Sequence, residues 1–248
     1  RFCKQIMKFK IVHINETDST NRWLKENGEG EMVVMAAYQT AGKGCGTNSW
    51  ESERGKNLTF SMLIQPEDIP ANRQFHITEA VSVALCETLE AYIYNKVEIK
   101  WPNDIYVGDK KICGVLIENR LQGAEIKDSI IGIGLNVNQR VFKSDAPNPV
   151  SLYQLSDLET DLDELLIRFL TEFDSAYQCV TTPIAYRQRL YRKGKDALYR
   201  DQTGTFTAKL MNVSSDGRLL LVDQDGSERR YAFKEESKIG RASCRERV

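Results

Sequence analysis

Histidine is scarce in this 248-residue chain, which has only His13 and His76. The two lie far apart in the sequence, and neither belongs to an H-E-x-x-H or H-x-E pattern, so a histidine-rich metal site is excluded. No G-x-S-x-G segment accompanies them, and a serine hydrolase with a catalytic triad is therefore poorly supported. Any catalysis by this chain has to use lysine, carboxylate, amide and backbone groups.

The sequence also lacks paired cysteines, long apolar runs and an excess of one charge. Its six cysteines form no C-x-x-C pair, so neither a zinc ribbon nor a disulfide framework is encoded. No apolar run approaches the roughly 20 residues that cross a bilayer, and the N-terminus is too charged for a signal peptide. With 34 Lys and Arg against 35 Asp and Glu, binding to polyanions by bulk charge is not expected. We expect a cytoplasmic globular protein without membrane association.

Apolar patterning predicts an α+β fold. Helical spacing runs over 74–95, and a second helical region covers 162–177 and 184–191. Strand patterns surround the long helix without regular βαβ alternation, which favours a mixed sheet packed with helices over a doubly wound one. These strands are predicted over 9–14, 32–38, 58–64, 97–101, 105–107, 114–119 and 129–135.

After residue 195 the pattern changes to short strands separated by tight turns. The turns are predicted at Ser215-Asp216-Gly217 and Gln224-Asp225-Gly226, which are typical of hairpins. We therefore predict a domain boundary there, with residues 196–236 forming a small SH3-like β-barrel. Residues 237–248 have no core-facing side, and we expect them to be a non-native or disordered tail. The barrel strands are predicted over 204–213, 219–223 and 229–233.

A glycine-rich stretch is the first segment with residue types suited to holding an anion. Gly42, Gly44 and Gly46 fall within five residues and flank Lys43, so backbone N–H groups can approach a negatively charged ligand closely. The stretch matches neither a P-loop nor a G-x-G-x-x-G fingerprint. On its own it is equally typical of a surface loop.

The segment Lys100-Trp101-Pro102-Asn103-Asp104 places a lysine, an amide and a carboxylate at the end of a predicted strand. The amide could read a base edge, and the carboxylate could hold Mg²⁺ or an incoming amine. Pro-Asn-Asp is also a common structural turn. Further along, Lys110 and Lys111 lie next to a strand that contains Gly114, where a lysine can reach a phosphate or carboxylate. Two adjacent lysines are more often exposed to solvent in a hairpin, and we expect this for Lys110.

Alternating glycines mark the last of these segments. Gly132 and Gly134 lie in an apolar strand that leads to Asn136. Glycine packs poorly in a strand, so the alternation indicates that another group approaches this backbone. A glycine kink in a twisted sheet is the alternative.

Together and in this order, the segments resemble the catalytic domain of biotin–protein ligases, which attach biotin to a lysine of a carrier domain. The resemblance implies a class II synthetase-like catalytic domain over residues 1–195, with biotin and ATP as substrates and Mg²⁺ as the metal ion. It also implies a biotin carboxyl carrier domain as partner and a possible homodimer. The resemblance runs from Glu16-Thr17-Asp18-Ser19-Thr20-Asn21 through the glycine loop and Trp50 to 100–104, 111–118 and 132–138, and continues into the C-terminal strands.

By matching position, the resemblance implies roles for individual residues. The implied biotin-binding residues are Ser19, Thr20, Gln39, Gly42, Lys43, Lys111 and Gly114. The implied nucleotide-binding residues are Trp50, which would cover the adenine, and Asn103, Lys111 and Asn136. Lys43 and Lys111 would neutralise charge in the adenylation step, and Asp104 would meet the acceptor lysine or a metal ion. No other metal ligand is implied.

The loop departs from the family pattern Gly-Arg-Gly-x-Arg-Gly-x-x-Trp. Lys43 keeps the positive charge but lacks the forked guanidinium of arginine, and Gly46 and Thr47 replace the later Arg-Gly pair. We still expect an active enzyme. The alternatives are a lipoate–protein ligase, whose Arg-Arg-x-Ser-Gly-Gly-Gly stretch is absent, and a non-catalytic ligand-binding adaptor. Because the pattern begins within the first twenty residues, we expect no fused DNA-binding domain and no DNA binding.

Overall fold

The main feature of the computed structural model, which describes residues 8–42, 44, 50–66, 69–143, 148–202 and 204–232, is a large mixed sheet. Its strands are β1 (Lys10–Thr17), β2 (Met32–Gln39), β3 (Leu58–Ile64), β4 (Val97–Lys100), β5 (Asp104–Val107), β6 (Lys110–Gln122) and β7 (Glu125–Leu135). They lie in the order β1-β2-β3-β7-β6-β5-β4. The pairing of β1 with β2 is parallel, and the other neighbouring pairs are antiparallel.

Helices pack on both faces of this sheet. They are α1 (Thr20–Asn27), α2 (Phe75–Glu90), α3 (Leu152–Ser156), α4 (Leu162–Gln178) and α5 (Thr182–Gln188), with a 3-10 turn at Ala71–Arg73. The largest apolar cluster lies between the sheet, α2 and α4, where Phe60 and Phe169 meet edge to face at 5.4 Å. The prediction of an α+β fold with a mixed sheet packed with helices is confirmed.

On the opposite face, α1 covers a smaller apolar cluster. Leu24 packs there with Met32, Leu63 and Ile130. The helix ends at Gly28, whose backbone N–H donates to the carbonyl of Leu24 at 2.8 Å. This packing holds the N-terminus of α1 over the centre of the sheet, which becomes important for the site.

The C-terminal strands form a second sheet. They are β8 (Asp196–Asp201), β9 (Gly204–Val213), β10 (Leu219–Asp223) and β11 (Glu228–Tyr231), antiparallel in the order β11-β10-β9-β8. Their buried apolar side chains join the large core cluster. The limits at 195 and 236 and closure into an SH3-like barrel stay predictions. The predicted tail, 237–248, lies outside the described residues.

None of the helices formed by the described residues combines the length and apolar character needed to span a bilayer.

Candidate active site

A cavity lies where α1, β2, β6 and β7 meet. Its wall brings together residues that are far apart in the sequence. Among them are seven of the predicted site residues, namely Ser19, Thr20, Gln39, Trp50, Asp104, Lys111 and Gly114. The cavity has two chemically different ends, described in turn below.

The head end of the cavity, which we define as Ser19, Thr20, Asn21 and Gln39, is held by hydrogen bonds. The backbone N–H and the hydroxyl of Thr20 both donate to Gln39 Oε1, at 2.7 and 2.9 Å. The hydroxyl of Ser61, which is fully buried in the middle of β3, lies 2.7 Å from Thr20 Oγ1 and 2.6 Å from Asn21 Oδ1. The side chains of Thr20, Asn21 and Gln39 therefore all have hydrogen-bond partners within the protein.

A glycine on β7 makes room for Asn21. A Cβ atom on Gly132 would lie 2.3 Å from Asn21 Oδ1, a distance that real Cβ atoms do not reach. The other end of this amide, Nδ2, donates to Glu118 Oε2 at 2.8 Å. Both polar atoms of the Asn21 side chain therefore have partners within the protein.

The charged end of the cavity, defined as Asp104 and Lys111, is formed by the hairpin of β5 and β6. The turn uses Gly108, whose φ of 59° suits glycine better than other residues. Lys111 Nζ lies 2.7 Å from Asp104 Oδ1, and about 30% of each side chain is exposed (29% and 31%). An anionic ligand that approaches Lys111 therefore competes with the Asp104 carboxylate.

The indole of Trp50 lies between the two ends. It rests on Gly114 and Gly134, which face each other across β6 and β7. A Cβ atom on Gly134 would lie 2.4 Å from Trp50 Cε2, so only glycine leaves room for the indole at this position. The indole Nε1 is buried and has no hydrogen-bond partner among the described residues. Lys111 Nζ is 5.7 Å from the centre of the ring.

Three predicted residues in the described part of the chain do not line the cavity. Asn103 Nδ2 donates to the carbonyl of Val115 at 3.2 Å, and Asn136 Nδ2 donates to that of Val150 at 3.1 Å. Gly42 lies beside the cavity, where its carbonyl accepts a 2.9 Å hydrogen bond from the backbone N–H of Trp50. The prediction for Lys43 falls outside the described residues. The functional roles assigned to all these residues stay predictions.

Several residues around the cavity carry no role in the sequence analysis. Asn21, Ser61 and Glu118 are the main ones, since they fix the head end. The alternating glycines did contain a signal, because they predicted a close approach to β7. The approaching groups are Asn21 at Gly132 and Trp50 at Gly134. Ser61 also had a signal, as a small polar residue in the middle of the mostly apolar run LTFSMLI.

The cavity offers little to a metal ion by itself. Within the ranges that the structure describes, no three His, Cys, Asp or Glu side chains are grouped so that they could hold one. Mg²⁺ is commonly bound by one or two carboxylates together with substrate phosphates. Asp104 fits that limited role for a magnesium ion that arrives with a nucleotide.

Comparison with known proteins agrees with this geometry. The model of the Biotin/lipoate A/B protein ligase family matches residues 12–136. The bifunctional ligase/repressor BirA of Bacillus spizizenii is 33% identical over 231 residues, covering 88% of this chain and 70% of that protein. BirA of Escherichia coli is 33% identical over 135 residues, covering 53% of this chain and 41% of that protein.

Solved structures show the same relationship. The biotin protein ligase from Aquifex aeolicus, determined in complex with biotin and ATP, is 26% identical to this chain, with a TM-score of 0.76. The match covers 91% of this chain and 96% of that one. The resemblance stated from the sequence is therefore confirmed. The chain belongs to the Biotin/lipoate A/B protein ligase family and, within it, to the biotin–protein ligases.

Proposed function

We propose that this protein activates biotin with ATP as biotinyl-5′-AMP and transfers the biotinyl group to a specific lysine of a biotin carboxyl carrier domain. The observation that carries the proposal is one cavity with a buried hydrogen-bonding end and a lysine at the other end. The Aquifex aeolicus relative, whose structure holds biotin and ATP, supports the choice of substrates.

The head end favours biotin over lipoate as the substrate. Biotin carries a ureido group, which has one carbonyl acceptor and two N–H donors. The dithiolane ring of lipoate has neither, so it would exclude water from Thr20, Asn21 and Gln39 without offering them a hydrogen bond in return. A site built to hydrogen-bond its substrate rejects analogues that lack those groups by large factors, because unpaired buried polar atoms are costly.

The charged end is suited to the adenylation step. In that step an oxygen of the biotin carboxylate attacks the α-phosphorus of ATP, the new O–P bond forms, and the bond to pyrophosphate breaks. Two anions have to approach each other, and the ammonium of Lys111 would neutralise their charge as Asp104 releases it. Lys43 is proposed as a second cation for the same step. Mg²⁺ carried by the ATP phosphates would face Asp104.

Asp104 and Trp50 are proposed to serve the transfer step. The neutral amine of the carrier lysine attacks the acyl carbon of the adenylate, a C–N bond forms, and the bond to AMP breaks. Asp104 would orient the amine and take its proton. Trp50, together with Asn103 and Asn136, would lie around the nucleotide, where the indole keeps water from the reactive anhydride.

A transfer assay tests the proposal. The protein is incubated with ATP, Mg²⁺, an acceptor carrier domain and either labelled biotin or labelled lipoate. We expect label on the carrier lysine with biotin and none with lipoate. Transfer of lipoate would favour the lipoate–protein ligase, and binding of biotin without transfer would favour the adaptor. A homodimer, the absence of DNA binding and a cytoplasmic location stay predictions.

A further inference from the structure

A charged pair outside the cavity wall contacts an amide that lies in it. Glu118 is on β6 and Lys25 is on α1, and both side chains are partly exposed. Glu118 Oε1 accepts a 2.7 Å hydrogen bond from Lys25 Nζ, while its Oε2 accepts a 2.8 Å hydrogen bond from Asn21 Nδ2. Asn21 itself is only 6% exposed and lines the cavity. The carboxylate therefore joins a solvent-facing cation to a buried amide.

This contact decides which way the Asn21 amide faces. An ionised carboxylate can only accept hydrogen bonds, so it selects the NH₂ group of Asn21 and not its oxygen. The oxygen consequently lies on the far side, 2.6 Å from the Ser61 hydroxyl and against the backbone of Gly132. Asn21 and Gly132 both line the cavity, so the Asn21 oxygen lies at the cavity wall while it contacts Ser61.

The side-chain amide of Gln39 has the opposite orientation to that of Asn21. Its oxygen is occupied by the two donors of Thr20, at 2.7 and 2.9 Å, so its NH₂ group is directed toward Gly42. The head end thus contains an amide oxygen, on Asn21, and an amide NH₂ group that lies beside Gly42, on Gln39. A ureido group, with N–H donors beside a carbonyl acceptor, is complementary to that arrangement.

From this geometry we infer that Glu118 is a specificity-determining positioning residue. Glu118 acts through Asn21. By accepting a hydrogen bond from Asn21 Nδ2, it orients the amide so that Oδ1 is available to the N–H groups of the ligand. The inference rests on the proposed function, since it takes the ureido head of biotin as the group that is read.

The contact with Lys25 gives a test that distinguishes this role of Glu118 from a purely structural one. An ammonium can only donate, so in Glu118→Gln the glutamine oxygen pairs with Lys25 and its NH₂ group faces Asn21. Asn21 then turns around and presents its own NH₂ group to the N–H groups of biotin. Removing Lys25 as well frees the glutamine to offer its oxygen to Asn21, which restores the original orientation.

The experiment is titration calorimetry with biotin on the wild type, Glu118→Gln, Lys25→Met and the double variant. We expect Glu118→Gln to weaken the biotin Kd by about tenfold or more, because a buried hydrogen bond is lost and a donor faces a donor. Lys25→Met, which keeps the Glu118–Asn21 contact, is expected to bind within about twofold of the wild type. The double variant is expected to regain most of the affinity, and ATP affinity to stay constant throughout.

Three results would overturn the inference: wild-type affinity in Glu118→Gln, an equal loss in Lys25→Met, or no recovery in the double variant. Circular dichroism of each variant separates a binding defect from unfolding. If the wild type fails to bind biotin at all, the proposed function fails and the inference fails with it. If the wild type binds biotin and transfers it while one of the three results is found, only the inference is lost.

Discussion

At the head end of the cavity, Ser19, Thr20 and Asn21 are buried, Gln39 is partly exposed, and Thr20 donates two hydrogen bonds to Gln39. The charged end is about one-third exposed and is held by one ion pair. Buried polar groups with fixed partners cannot adapt to a poorly matched ligand, so the head end is suited to selection. An exposed ion pair is weak and can exchange partners during a reaction. From this difference we infer that the head end selects the substrate and that the charged end takes part in the reaction.

The largest effect is expected from removing the cation of the charged end. Lys111→Ala should lower the rate of biotin-dependent pyrophosphate release by at least about 100-fold, because the charge of two approaching anions is no longer neutralised. Biotin affinity should fall much less, since the head end is unchanged. Lys110→Ala, at the neighbouring exposed lysine, is the matched control and should release pyrophosphate at the wild-type rate. Near-normal release by Lys111→Ala would remove Lys111 from its assigned role.

Two glycines on β7 allow each part of the cavity to be disturbed separately. In Gly132→Ala the new methyl group would meet Asn21, and in Gly134→Ala it would meet the Trp50 indole. Overpacking of this kind costs about 1–3 kcal/mol, which corresponds to roughly 5- to 150-fold. We expect Gly132→Ala to raise the KM for biotin and Gly134→Ala to raise the KM for ATP.

Steady-state kinetics with each substrate varied in turn measures this separation. The fluorescence of Trp50 should change in Gly134→Ala and stay the same in Gly132→Ala. An equal rise of both KM values in both variants would contradict the division of the cavity into two ends.

The smallest effect on catalysis is expected from Glu79, which is buried in α2 and whose Oε1 has no hydrogen-bond partner among the described residues. Glu79 Oε1 lies 3.6 Å from Arg187 Nη2, beyond hydrogen-bond distance, and Oε2 lies 4.0 Å from His76 Nδ1. Burial raises its pKa to about 7, against the opposing charges of Arg187 and Arg73. A raised pKa stabilises the folded state below about pH 4.5, and this stability is lost as the pH rises through 7.

Glu79→Gln cannot ionise and should escape that loss. When the pH rises from 5 to 8, the unfolding free energy of the variant should increase relative to that of the wild type by about 1–3 kcal/mol. Urea denaturation at the two pH values measures the change. Glu16→Gln, at an exposed ion pair with Arg54, is the control, and its difference from the wild type should stay constant. A constant difference for Glu79→Gln would contradict the assignment.

Much of the main sheet could be predicted from the sequence because apolar patterning is a local signal. The strands at Met32–Gln39 and Leu58–Ile64 and the helix at Phe75–Glu90 lie where the patterns place them. The strand at Asp196–Asp201 was missed, since its apolar residues are consecutive and not alternating, and Leu198 among them is exposed. The helix at Leu152–Ser156 was also missed because five residues are too few for helical periodicity, and a capping box at Ser151 and Gln154 stabilises its start.

The site was less accessible to sequence reasoning because its contacts depend on strand register. Gly114 faces Gly134 across one strand pair, and Ser61 faces Gly132 across the next. Nothing local to these residues fixes that pairing, so the contacts of Ser61 and Glu118 with Asn21 could not be anticipated. The parallel pairing of β1 with β2 was likewise not predicted, as it depends on the path of the chain through α1.

We propose that biotin lies along the cavity with its ureido head at Ser19, Thr20 and Gln39 and its carboxylate at Lys111. A crystal structure of the wild-type protein with biotin tests this most directly. We predict hydrogen bonds from the ureido group to the head end and a carboxylate within about 3 Å of Lys111 Nζ, as expected for a charged hydrogen bond. Biotin bound in the reverse direction, or outside this cavity, would contradict the account.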